Sequence, residues 1–180
     1  MTDPLPHSGP TVALDIPYQA WLGALPGVEN AVEGAVLACL RGACPDLLEV
    51  EISVVLVDDA TQRILNETWR DKDRPTNVLS FPATDTVAGA LPQPEFPGVP
   101  LTLGDISIAF ETVKTEAQEQ GKSLNDHLVH LVVHGVLHLL GYDHVVETDA
   151  AAMEALEIAI LSGIGVTDPY NVNNERESEG

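Results

Sequence analysis

Residues 134–144 read His-Gly-Val-Leu-His-Leu-Leu-Gly-Tyr-Asp-His, and no other stretch constrains the fold as much. His134 and His138 are four apart, so on a helix they share one face. Gly141 can end that helix in the left-handed conformation that glycine adopts without a Cβ penalty. The returning chain then brings His144 to the same point. Three neutral imidazoles converging on one point suit a zinc ion that keeps its fourth position open for water. Such a centre is catalytic more often than structural, because structural zinc is usually closed by four protein ligands. Five of the six histidines fall between 127 and 144, a concentration that chance does not explain.

The spacing predicts a helix over 124–140. On its wheel His127, His130, His134 and His138 span about 80° of arc, while Leu128, Val132, Val136, Leu139 and Leu140 take the other side. The helix is thereby buried on one face and lined with imidazoles on the other. For His127 and His130 the spacing leaves several roles open: substrate contact, a hydrogen bond to a ligand from behind, or surface exposure. His-x3-His-x5-His, with Gly three residues after the second His, matches the zinc helix of the metzincin proteases. Those proteases carry Glu directly after the first His as general base. Here that position is Gly135, so a peptidase would need its base from elsewhere.

Along the chain, Val12, Leu14 and Ile16 alternate as in a strand, and Pro17 to Gly27 reads as a turn-rich connection. A helix is predicted from Val28 to about Arg41, with Gly42 as its stop and Pro45 beyond. Leu48 to Val57 reads as a buried strand. Asp58 caps a helix from Asp59 to about Arg70. Asn77 to Phe81, held between Pro75 and Pro82, reads as a strand at a sheet edge. Pro82 to Pro100 is a long loop, and Leu103 to Ala109 a strand. Further helices are predicted over 110–120 and 149–161, and Ser123 with Asp126 resembles a capping box. From Tyr170 on, the chain is polar and reads as frayed. The expectation is an α+β fold, a mixed four-stranded sheet packed with about five helices, one of them a metzincin-like zinc helix. Residues 1–170 would form a single metal-dependent hydrolase domain and 171–180 a disordered tail.

A net charge of −20 is awkward for a protein that meets nucleic acid, because summed charge repels phosphate at long range. The charge is unevenly spread. Of eight Lys and Arg, four (Arg63, Arg70, Lys72 and Arg74) lie between 63 and 74, while 147–180 holds eight acids and only Arg176. These bases either form a local cationic spot or pair with Glu67, Asp71 and Asp73. Cys39 and Cys44 read as two reduced thiols. No apolar run is long enough for a membrane span and the start has no signal-peptide pattern, so the expected location is the cytoplasm.

His134 to His144 resembles the HGxLHLxGyDH signature of the YbeY family of bacterial metal-dependent endoribonucleases at all eleven positions. Leu65-Asn66, Trp69-Arg70, Lys72-Asp73 and Arg74-Pro75-Thr76-Asn77-Val78-Leu79-Ser80-Phe81-Pro82 resemble the second motif of that family. Gly104-Asp105-Ile106, 116–121 and Asp168-Pro169-Tyr170 are also similar, so the likeness runs from about Val50 to Tyr170. Trp69 stands where the family often has Tyr. The resemblance implies a small α+β fold with one zinc ion held by His134, His138 and His144. It also implies a role in maturation of the 16S ribosomal RNA 3′ end and in ribosome quality control. A family arginine that matters for activity matches Arg70.

Zinc with an open position can activate water or polarise a phosphoryl oxygen. Arg70 could clamp a phosphate through two N–H donors, or form a surface ion pair with Glu67 or Asp73. The expected activity is zinc-dependent cleavage of single-stranded RNA, by attack of hydroxide or of the ribose 2′-OH. The expected partners are ribosomal RNA, the small ribosomal subunit and ribosome-associated proteins, with no membrane. Asp143 either orients an imidazole or ends the turn. One competing reading is a ribosome-assembly factor with a structural zinc site; another, opposed by Gly135, is a metallopeptidase.

Overall fold

A computed structural model describes residues 9–171; of the tail expected over 171–180, all but Asn171 lies outside the described residues. The elements in chain order are β1 (Thr11–Asp15), α1 (Ala20–Ala24), α2 (Val28–Ala43), β2 (Val50–Val57), α3 (Asp59–Arg70), β3 (Val78–Pro82), β4 (Leu101–Ala109), α4 (Phe110–Glu119), α5 (Leu124–Leu139) and α6 (Glu147–Gly163). The strands form one mixed sheet in the order β1-β2-β4-β3. β1 and β4 pair parallel to β2, and β3 pairs antiparallel to β4. The α+β architecture and the mixed four-stranded sheet expected from the sequence are both present, and β3 lies at the sheet edge, as its flanking prolines suggested.

α5 sits at the centre of the molecule, in contact with α2, α4, α6, β3 and β4. Its apolar face explains this. Leu128, Val132 and Val136 are fully buried, and burying each such side chain contributes roughly 1.5–3 kcal/mol. The close approach of α5 to the sheet depends on Gly135, where an added Cβ would meet Ile106 at 3.1 Å. Successive residues of a strand point to opposite faces. Accordingly the side chain of Ser107, next to Ile106, meets the buried Gln62 of α3, its hydroxyl donating to Gln62 Oε1. α3 and α5 therefore flank β4 from opposite sides.

The six helices among the described residues agree with the expected number of about five. Two local readings differ: the connection from Pro17 to Gly27, expected as turns, contains the short α1. Tertiary packing decides it, because Trp21 is fully buried and its indole N–H donates to the Val57 carbonyl at 3.1 Å. Gly42 does not stop α2, which runs on to Ala43. A Cβ at Gly42 would lie 2.7 Å from Ile160 Cγ1, so the glycine admits α6 rather than ending the helix.

The loop between β3 and β4, expected from its Pro and Gly content, is anchored to the end of α5. Thr86 Oγ1 donates to the Leu139 carbonyl at 2.8 Å.

Candidate metal centre and cleft

α5 begins where sequence reasoning placed it. The Ser123 hydroxyl accepts from the Asp126 N–H at 3.0 Å, satisfying one of the unpaired donors of the first turn. Its end brings the last histidine round. The Tyr142 N–H donates to the Leu137 carbonyl and the Gly141 N–H to the His138 carbonyl, both at 3.0 Å. This bond pair is the glycine-dependent stop known as the Schellman motif. Gly141 has φ +94°, and a Cβ there would lie 2.6 Å from the Thr86 carbonyl oxygen, so glycine is required twice over. Asp143 ends the turn, as one of its two expected roles had it: its carboxylate accepts from the His144 N–H at 2.7 Å and the Val145 N–H at 3.3 Å.

The consequence is a cluster. One ring nitrogen from each of His134, His138 and His144 lies within 4.8 Å of the others. His134 Nε2 and His138 Nε2 are 3.0 Å apart. Two nitrogens sharing a tetrahedral zinc at about 2.05 Å would be roughly 3.3 Å apart, so His134 and His138 already stand close to a ligating separation. The donor set also fits. Burial, aided by neighbouring His134 and His144, pushes the His138 imidazolium down to about 4, which leaves the ring neutral near pH 7; only a neutral imidazole binds metal. His144 is exposed and His134 and His138 are half-buried, so the cluster opens to solvent.

Behind the cluster lies Glu157 of α6, which sequence reasoning missed. It is fully buried. Burial alone would raise its pKa, but hydrogen bonds from His130, His134 and Tyr170 overcome this and hold it at about 2. His134 Nδ1 contacts Oε1; His130 Nε2, at 3.1 Å, and the Tyr170 hydroxyl contact Oε2. His130, His134 and Glu157 thus form a second group of donor atoms, all within 4.8 Å of one another, behind the first. His127 is buried instead of surface-exposed, with Nε2 at 2.7 Å from Glu116. Tyr170 is not frayed, because its hydroxyl is tied to Glu157. A signal for Glu157 did exist in the sequence: it is a lone acid within the apolar run 155–161, and a buried charge is retained only where partners meet it.

The cluster forms part of a cleft of about 930 Å³. His134, His138 and His144 line it, as do Arg70, Lys72 and Arg74 from the α3–β3 segment. Asp71, in the left-handed region at φ 55°, ends α3 and turns this segment. Asn66, buried on α3, anchors it by donating to the Arg74 carbonyl at 2.8 Å. Among the described residues, Arg63 alone of the four clustered bases makes the expected acidic pair, binding Asp73 through Nε at 2.6 Å and Nη2 at 3.0 Å. Arg70 pairs with neither Glu67 nor Asp73. Its Nη2 donates to the Ser80 carbonyl of β3 at 2.8 Å, and the guanidinium lies 5.9 Å from the Phe81 ring centroid. A chain of net charge −20 therefore lines the space in front of its histidines with three cations, alongside two acids, Glu116 and Asp143.

The family model described as "Endoribonuclease YbeY" matches residues 28–165. A protein of Paramagnetospirillum magneticum named "Endoribonuclease YbeY" is 53% identical over 161 residues, covering 88% of this chain and 94% of that protein. One of the same name from Rhodospirillum rubrum is 46% identical, covering 94% of this chain and 86% of that one. The solution structure of a Thermotoga maritima protein superposes with TM-score 0.50 at 19% identity, covering 94% of this chain and 100% of the other, a likeness of fold.

Proposed function

Since the chain belongs to the YbeY endoribonuclease family, we propose that it is a zinc-dependent endoribonuclease cutting single-stranded RNA. Its biological roles would be 16S ribosomal RNA 3′-end maturation and ribosome quality control, in the cytoplasm, with ribosomal RNA, the small ribosomal subunit and ribosome-associated proteins as partners. The observation that carries this reading is the cleft in which a three-histidine cluster faces Arg70, Lys72 and Arg74. In an otherwise acidic molecule that pairing suits a phosphodiester.

His134, His138 and His144 would hold the ion. A zinc ion bound there supplies Lewis-acid polarisation of a phosphoryl oxygen and lowers the pKa of water. The remaining work falls to the chain. With one N–H committed to Ser80, Arg70 is held in place and offers its other donors to the non-bridging oxygens of the scissile phosphate. Charge-assisted pairs of this kind are strong and directional. Lys72 and Arg74 neutralise the flanking phosphates, the usual device of a groove that tracks a single strand. The solvent-facing His144 suits a cluster that admits substrate, unlike a closed structural site. Peptidase action is opposed by Gly135, which offers no carboxylate, and by the Ser80 carbonyl. That acceptor on edge strand β3, which an added peptide strand would need, is already occupied by Arg70.

The test is cleavage of a single-stranded ribosomal RNA fragment by zinc-loaded protein, with His138→Ala and Arg70→Ala alongside. Wild type should cut, and both variants should stay folded and fail. Equal cutting by all three would mark the activity as contamination and sink the reading. A substrate with a single 2′-deoxy nucleotide at the cleavage position then separates the two nucleophiles: continued cleavage excludes attack by the 2′-OH.

A further inference from the structure

Glu157 is an acid within an apolar stretch of α6, fully buried and outside the three-histidine set. A buried carboxylate is costly unless donors take up its oxygens. Here, among the described residues, Oε1 meets His134 Nδ1 alone, while Oε2 takes His130 Nε2 and the Tyr170 hydroxyl. A carboxylate accepts only, so His134 must carry its proton on Nδ1, which leaves Nε2 with a free lone pair. That Nε2 is the atom 3.0 Å from His138 Nε2.

We propose that Glu157 is a positioning residue. Its carboxylate fixes the tautomer and ring orientation of His134, so that Nε2 faces His138 and His144, and in this way it sets the metal affinity of the centre. The inference rests on the metal-centre reading above. Fixing an imidazole through its second nitrogen is how a carboxylate behind a ligand raises affinity. Glu157 is itself held in place. It cannot swing to solvent, because the segment after α6 covers it: Tyr170 bonds it, and Lys122 Nζ pins that segment by donating to the Pro169 carbonyl at 3.0 Å.

The experiment uses the full chain with two readouts. In the metal-free protein, ¹⁵N NMR of the histidine rings reads the His134 tautomer. In parallel, competition with a chromophoric chelator reads zinc affinity and stoichiometry. Wild type should show His134 protonated at Nδ1 and bind one zinc. Glu157→Gln, which keeps the shape, should shift His134 toward the Nε2–H tautomer and weaken zinc by about tenfold; Glu157→Ala should approach a hundredfold. Tyr170→Phe loosens the covering segment without touching the His134 bond, so it should leave the tautomer unchanged and affinity close to wild type. If Glu157→Ala fails to fold, the Gln variant decides alone.

A folded Glu157→Gln with unchanged tautomer and unchanged affinity would overturn the proposal. So would Tyr170→Phe matching the Gln variant in both readouts, since the effect would then come from packing. Two zinc ions per chain, with one lost in His130→Ala, would also overturn it, by making Glu157 a ligand together with His130 and His134. Failure of wild type to bind zinc at all would sink the metal-centre reading, and this inference with it, whatever the tautomer shows.

Discussion

Two residues carry the sharpest consequences. Arg70 is exposed and packs into no core, so its removal should cost activity and spare the fold. Losing a preorganised charge-stabilising donor typically lowers kcat by about 10²–10³-fold. Arg70→Ala should therefore fall into that range in a single-turnover cleavage assay while its melting temperature stays with wild type. Arg70→Lys should recover little, because an ammonium cannot both hold the Ser80 carbonyl and present a planar fork to phosphate. Full recovery by Lys would show that charge alone is enough. Gly141 is the second. Its φ of +94° and the 2.6 Å approach to Thr86 leave no room for a side chain. The backbone conformation alone disfavours a Cβ by about 1–2 kcal/mol. Gly141→Ala should lower thermal stability by at least that much, and zinc affinity should drop as well, since the turn no longer delivers His144. Denaturation and chelator competition on one sample check both.

At the scale of elements, α3 sets the cationic wall, and its start depends on Asp58. The Asp58 carboxylate accepts from the Thr61 N–H at 2.9 Å. Hydrogen bonds from the Thr61 hydroxyl and N–H lower its pKa. A carboxyl whose pKa is depressed on folding stabilises fully above its unfolded value of about 3.9. The contribution is lost as pH falls through the lower folded value. Asp58→Ala should cost about 1 kcal/mol at pH 7, and the difference from wild type should vanish at acid pH; a pH-independent difference in urea midpoints would argue against the cap. This helix start was legible because a cap and its helix are adjacent in sequence, and the same holds for Ser123 and α5. The end of α2 was not legible. Gly42 carries the usual stop signal, yet it serves packing against Ile160, a residue more than a hundred positions away that no local pattern can announce.

For the whole molecule, charge and metal should govern behaviour together. Lys72 and Arg74 face the cleft of a chain with net charge −20, so RNA affinity should be steeply salt-dependent but local in origin. If each neutralises one phosphate, replacing either by Ala should reduce the slope of log K against log salt by about 0.7, the value for single strands. An unchanged slope would place RNA elsewhere on the surface. Metal bound by α5 and the following turn should also stabilise the fold. At a free zinc concentration of 100 times Kd the gain is about 2.7 kcal/mol, which for a chain this size raises Tm by roughly 5–10 °C. Calorimetry with and without chelator measures it, and His138→Ala should abolish the difference.

What the sequence determined by itself was whatever acts over a few residues. One helical face gathers His134 and His138, Gly141 ends the helix, alternation marks the strands, and prolines assign the edge. Tertiary structure alone decided which distant groups complete the site. It set Glu157 behind His134, tied Tyr170 to Glu157 where the polar terminus suggested fraying, left Arg70 to the Ser80 carbonyl instead of an acid, and sent Asp73 to Arg63. The physical reason is one of range. Helix periodicity, caps and turns are fixed by backbone geometry within a turn or two, so residue order encodes them directly. The partner of a buried carboxylate or a cleft-lining guanidinium is chosen by packing and desolvation, which bring together residues whose separation along the chain carries no signal.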